Sequence, residues 1–357
     1  MTNASDTARE PEPASSDATD SPVDTVAATR IRSAFARIPK RARLGLLVAL
    51  AAVVLVAGWR WWSGRPPGDV TRRIRPEAGP ITQLVFSPTG NTLAAGSSRG
   101  EVVFIERETW SSADVSAITT QPLTAMVTTQ DGHLLVATLG ERLLLWDWAT
   151  RTSKVMPGVP QVPTALEIHP VLGELLVGLR TGAVWRLNPA TGDARTEEPR
   201  HSAAVTCLVS GPRGEWLFSG GGDGSVKVTF PADSKREPIG HTEHLQPISA
   251  VARAPSGRFV ATADWGGTIR VWSSTDWKVI RTMEAEGAIS RLAATETAIY
   301  AGGWDGRIRI WNADTGAEAR PILCGYPVHA LAIDPKLEWL ATGSAEGWID
   351  LRPLPEK

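Results

Sequence analysis

The chain has 357 residues, 42% of them hydrophobic and 21% charged, with a formal net charge of -1. That balance is globular and excludes a protein that holds nucleic acid through a global basic field. Fifteen tryptophans stand against two tyrosines and six phenylalanines, and 33 glycines with 26 prolines imply many turns.

Residues 1–29 are Ala, Ser, Thr, Asp, Glu and Pro with few large apolar side chains. Such a stretch cannot bury enough surface to offset its ordering entropy, so the expectation is a disordered tail. Residues 30–43 form a basic segment carrying Arg30, Arg32, Arg37, Lys40, Arg41 and Arg43. Then comes "LGLLVALAAVVLVAGW", residues 44–59, without charge or proline. As a helix it reaches about 24 Å, against about 30 Å for a bilayer core. Arg43 and Arg60 can snorkel, and Trp59, Trp61 and Trp62 are of the type found at the headgroup boundary. The expectation is a single transmembrane helix over residues 44–62, and a linker over 63–68. The excess of positive charge before the helix favours a cytoplasmic N-terminus and an extracytoplasmic, periplasmic bulk.

From residue 69 to 357 one pattern recurs: an apolar strand, a turn, a second strand, a glycine turn, then an alternating strand. "ITQLVFSPTGNTLAAGSSRGEVVFIE" begins at Ile81, and "ISRLAATETAIYAGGWDGRIRIWN" at Ile289. The closing positions are Ile105, Trp146, Leu187, Thr229, Trp272, Trp311 and Arg352, spaced by 39 to 43 residues. Repeats of three or four strands at this period predict an all-β, seven-bladed β-propeller, here preceded by the membrane helix and the disordered tail.

"WD" at Trp146 and Asp147, "VWS" ending at Ser273, "IWN" ending at Asn312, and the "DG" turns at Asp223 and Asp305 resemble the WD-repeat (WD40) family. The resemblance implies that each sequence unit spans two blades and that the last blade borrows a strand from the N-terminal side. "DVTRRIRP", residues 69–76, is the expected closing strand. It also implies a blade network of His, Ser or Thr, Asp and Trp. His201, Ser219 and Asp223 stand at those offsets, as do His244, Thr262 and Trp272 in the next unit, with Gly266 in place of Asp. Asp305 and Trp311 remain in the sixth unit. The same residue types could suggest a hydrolase triad, but the family network accounts for them.

Residues 241–244, "HTEH", fall in an inter-blade loop, whereas zinc-enzyme pairs sit one turn apart on a helix, and His244 already belongs to the expected blade network, so no metal site is expected. Cys207 and Cys324 have no CxxC partner. "GGGDG" is followed by a strand, not by the helix a phosphate loop needs. The "ATG" and "DTG" turns after Asn188 and Asn312 resemble those of quinoprotein-type propellers, but no docking tryptophan follows. No cofactor is expected.

In the family, the residue just before the turn Asp lies on the narrow face. Those positions are Ser98, Leu139, Arg180, Gly222, Trp265, Trp304 and Ala345. Tryptophan and arginine are enriched at binding hot spots. Trp265, Trp304, Arg180 and Leu139 are therefore the expected binding set for a protein or peptide partner. The leading expectation is a membrane-anchored, non-catalytic interaction scaffold. The alternatives are a ligand-binding or enzymatic propeller using its central channel, and an envelope assembly factor recruited through its N-terminal tail. The sequence leaves the partner and the oligomeric state open.

Overall fold

A computed structural model describes residues 70–355, apart from short breaks at 130–131, 139–142, 148–149, 151, 157–160, 190, 198–199, 232 and 234. Chain contacts divide at residue 65. The expected tail, basic segment, helix and linker lie outside the described residues, as does Leu139.

Every regular element described is a strand. β1 is Arg72–Ile74. Blade 1 is β2 (Ile81–Phe86), β3 (Thr92–Ser97), β4 (Glu101–Glu106) and β5 (Ser111–Ala117). Blade 2 is β6 (Leu123–Thr128), β7 (His133–Thr138), β8 (Leu143–Asp147) and β9 (Thr152–Met156). Blade 3 is β10 (Pro163–Ile168), β11 (Leu175–Leu179), β12 (Val184–Leu187) and β13 (Ala194–Glu197). Blade 4 is β14 (Val205–Ser210), β15 (Leu217–Gly221), β16 (Val226–Thr229) and β17 (Ile239–His241). Blade 5 is β18 (Ile248–Arg253), β19 (Phe259–Asp264), β20 (Thr268–Ser273) and β21 (Val279–Glu284). Blade 6 is β22 (Ile289–Ala294), β23 (Ala298–Gly303), β24 (Arg307–Asn312) and β25 (Ile322–Leu323). Blade 7 takes β26 (Ala330–Ile333), β27 (Trp339–Gly343) and β28 (Ile349–Pro353), with β1 as its outer strand.

The sheets are thus seven, each of four antiparallel strands. Their first strands neighbour one another in the order β2, β6, β10, β14, β18, β22, β26, and β26 returns to β2. A closed ring of this kind leaves no broad sheet edge open to pairing with another chain.

The core lies between blades. Ile269 and Val271 of blade 5 pack with Ile289, Leu292, Ile299 and Trp311 of blade 6. Phe218 and Val228 of blade 4 meet Ile248, Val260 and Trp272 of blade 5. Where the ring joins, Ile81, Leu93 and Ile105 meet Ala341, Ile349 and Leu351. The period-2 alternation explains this: each strand sends one set of side chains to each neighbouring blade. Full burial of each large side chain contributes about 1.5–3 kcal/mol.

Two expectations are corrected. No helix occurs among the described residues, and none there is long and apolar enough to cross a membrane. Over the described residues the fold is an all-β propeller, and residues 44–62, where the transmembrane helix was expected, lie outside them. The single-pass, periplasmic placement rested on that helix and on the charges flanking it, and no helix among the described residues supports it.

Candidate interaction face

The turn between the second and third strands of a blade is built the same way repeatedly. Its first residue donates a backbone hydrogen bond to the carbonyl just before the inner strand. The pairs are Ser98 to Pro80, Arg180 to Val162, Gly222 to Ala204, Trp265 to Pro247 and Trp304 to Ala288. Two residues on, a glycine closes the turn with positive φ, as at Gly100, Gly182, Gly224, Gly267 and Gly306. At Gly267, φ is 94°, and a Cβ would lie 2.5 Å from the Ala285 carbonyl oxygen. Only glycine meets both demands.

These turns set Trp265 and Trp304 at equivalent positions on adjacent blades. Their ring centroids are 6.1 Å apart at an interplanar angle of 31°. They remain 46% and 42% exposed, although large apolar side chains are usually covered. Trp304 also meets the His329 ring edge-on at 4.7 Å. Burial and the nearby Arg291 charge hold His329 below the ordinary histidine range, opposed by Glu346. Arg180 is exposed on the corresponding turn of blade 3, and no contact among the described residues joins it to the tryptophan pair.

Beside Trp265 the central channel opens into a cavity of about 410 Å³. Six inner strands carry a hydroxyl at their second position, and those of Thr124, Thr164, Thr206 and Ser249 line this cavity. Thr82, Thr164, Thr206, Ser249 and Ser290 each donate to the carbonyl of their own second strand, at Gly96, Gly178, Gly220, Ala263 and Gly302. Thr124, Thr164 and Ser290 also donate to the next blade, at Pro163, Val205 and Val328. A β-bulge falls at this position in all six of these strands. The hydroxyls thus tie the two strands together at the bulge. The sequence carries the signal as a Thr or Ser at the second position of the first six inner strands, with His329 after Val328 in the seventh unit.

The His-centred sets lie within the blades. His201 Nε2 is 2.8 Å from Ser219 Oγ, and its Nδ1 is 2.9 Å from Ser225 Oγ and 3.2 Å from Asp223 Oδ1. Burial lowers the His201 pKa, with Asp223 opposing it, so the ring is neutral. Burial alone would raise the Asp223 pKa, but the Ser225 hydroxyl, the Ser202 and Ser225 backbone amides and His201 together hold it well below the carboxylate range. Ser219 is 5% exposed, which denies a substrate carbonyl access to its oxygen.

In the next blade His244 bridges Asp264 Oδ2 at 2.8 Å and Thr262 Oγ1 at 2.7 Å, and Trp272 Nε1 donates to Thr262 at 2.9 Å. The four-membered network is complete there. Asp264, two residues upstream of Gly266, supplies the carboxylate. In blade 6, Asp305 pairs with Arg309, which reaches on to the Glu286 carbonyl, while Trp311 is buried in the core. Blade 7 builds its version from other chemistry: Tyr326 OH donates to Asp350 at 2.7 Å, and Arg352 bonds both Thr342 and Asp350.

The other motifs resolve as local structure. Asn188 and Asn312 accept from backbone amides of their own turns. Within "HTEH", His244 belongs to the blade network and His241 packs 5.5 Å from Trp272. Among the described residues no group of His, Cys, Asp and Glu could hold a metal ion.

Ring closure, repeated turns and the interior networks define a β-propeller. The WD domain, G-beta repeat family model matches residues 69–104, 195–229, 236–273 and 277–312. The segment 236–273 joins β17, the outer strand of blade 4, to the three inner strands of blade 5. The segment 69–104 likewise begins at β1, which completes blade 7. The chain is 26% identical over 159 residues to WD repeat-containing protein 90 of Mus musculus, covering 44% of this chain and 8% of that protein. It is 27% identical over 218 residues to the THO complex subunit 6 homolog of Danio rerio, covering 52% and 66%. It is 27% identical over 158 residues to the ribosome biogenesis protein WDR12 homolog of Chlamydomonas reinhardtii, covering 33% and 36%. The chain spans less than two thirds of the length of each of these relatives. Fold and matches together support the WD-repeat β-propeller family for this chain.

Proposed function

We propose that this propeller is a non-catalytic scaffold that docks a protein or peptide on the face carrying Trp265 and Trp304. The observation that carries the reading is the exposed, mutually tilted tryptophan pair beside the channel mouth. Two aromatic rings fixed on short glycine turns offer contact area at little ordering cost. Arg180 extends the same set of turns toward blade 3. Two of the relatives are named for a complex or for an assembly process, which accords with a scaffold role. The burial of Ser219 and the repetition of its His partner in the neighbouring blade favour a structural role for the triad-like set.

The test is affinity capture with three forms of the protein: unaltered, Trp265→Ala with Trp304→Ala, and Leu337→Ala, which lies away from the tryptophan turns. The partners retained by the unaltered and Leu337→Ala forms should be lost from the double variant. Equal capture by all three would remove this face as the docking site.

A further inference from the structure

The channel wall beside Trp265 contains an uncompensated cation. Gln83, Ala125, Ala165, Cys207, Ala250, Arg291 and Ala330 are the third residues of the seven repeat units. Most are small, which leaves the cavity open, and Arg291 and Gln83 are the two long polar side chains among them. Arg291 Nη1 donates to the Ser290 carbonyl at 2.8 Å, and Nη2 to the Thr82 carbonyl at 3.0 Å. Gln83 Nε2 donates to Thr124 O at 3.0 Å. Among the described residues no carboxylate pairs with Arg291. Burial works against its charge, and no acid acts in the other direction. The nearby His329 is kept neutral, and exposed Glu346 acts on His329 rather than on the guanidinium.

A guanidinium has five donor hydrogens, and carbonyl oxygens use only part of that capacity without neutralising the charge. A half-buried, unpaired charge is costly in proportion to the water it has lost, and an anion at its free donors removes that cost. The cavity that Arg291 lines is also lined by Trp265, so it opens on the proposed docking face.

We infer that a docked peptide inserts one acidic side chain, Asp or Glu, into the channel, where its carboxylate pairs with Arg291 while flanking residues lie on Trp265 and Trp304. The inference rests on the proposed docking face and names its partner's chemistry. One guanidinium matches one carboxylate charge. A phosphoryl dianion would leave a second negative charge unpaired, because Arg291 is the one cation among the described residues that line the cavity.

The experiment uses the full chain and fluorescent pentapeptide pools with randomised flanks and a fixed central residue: Glu, Gln, Lys or phosphoserine. Fluorescence polarisation reads binding, and thermal unfolding checks each variant's fold. The Glu pool should bind about ten- to a hundredfold more tightly than the Gln pool, the range of a charge-assisted hydrogen bond. The Lys pool should be rejected. Arg291→Met should erase the Glu preference, Arg291→Lys should retain part of it, and both should stay folded. If Arg291→Met does not fold, the Glu to Gln ratio in Arg291→Lys decides: an unchanged ratio overturns the inference. No preference for Glu in the unaltered protein, no binding of any pool, or binding of phosphoserine alone also overturns it. The two readings separate cleanly. Pools that bind through the tryptophans without a Glu preference sink only the inference. A Glu preference that survives Trp265→Ala with Trp304→Ala unweakened sinks the docking face and leaves the channel site standing.

Discussion

Arg73 and Asp350 form a bidentate ion pair between the first described strand and the last, with Nε–Oδ1 at 2.7 Å and Nη2–Oδ2 at 2.8 Å. Asp350 is fully buried and Arg73 half-buried, and β1 pairs with β28 in register Arg72↔Leu351, Arg73↔Asp350, Ile74↔Ile349. Burial works against the Arg73 charge, but Asp350 more than offsets it, and the guanidinium pKa ends above its ordinary value. Two parallel N–H···O bonds fix register as well as position.

Asp350→Ala therefore leaves the buried Arg352 and the half-buried Arg73 without their carboxylate. Removing one partner of a buried pair costs about 3–5 kcal/mol. Arg73→Met should cost less, because Asp350 keeps Tyr326 and Arg352. Denaturant midpoints give the ranking, and amide exchange in β1 shows where it acts. β1 amides that stay protected in Asp350→Ala would show that the pair does not hold the ring shut.

Gly267→Ala should destabilise blade 5 by more than about 1 kcal/mol, because its backbone is left-handed and its Cβ would meet the Ala285 carbonyl. The substitution is also predicted to shift Trp265, two residues away. A change in tryptophan emission alongside the lost stability would report both effects, and an unchanged midpoint would refute the close approach.

Acid should act in two stages. Burial comes first among the causes that lower the pKa of His201 and His244, so both are neutral in the folded state. The unfolded chain binds more protons below about pH 6.5, and stability falls as pH drops through that value. Asp223 contributes at lower pH: its folded pKa is depressed, so its share is present above about pH 4 and is lost as pH falls further. Melting temperatures between pH 7.5 and 5.5 should show a shallower slope for His244→Gln than for the unaltered chain. Parallel slopes would contradict a neutral, buried His244.

The repeat was legible in the sequence because strand alternation and a period of 39 to 43 residues survive divergence of individual units. The networks were only partly legible. Asp264 stands two residues upstream of the expected place yet reaches His244, because a carboxylate can enter the same network from the end of β19. Tyr326, Asp350 and Arg352 replace the usual residue types in blade 7, so offset matching to His and Trp misses them. Arg291 and Gln83 lie in different repeats, and only ring closure brings them to one channel. The exposure of Trp265 and Trp304 was readable from their turns, but their 6.1 Å approach depends on the spacing of adjacent blades.

The most direct test compares partner capture by the unaltered chain and by Trp265→Ala with Trp304→Ala, with melting temperatures measured on the same preparations. Partly exposed side chains on turns contribute modestly to stability, about 1 kcal/mol or less for the pair. The account predicts loss of capture with a nearly unchanged melting temperature. Capture that persists in a double variant of unaltered stability would contradict it.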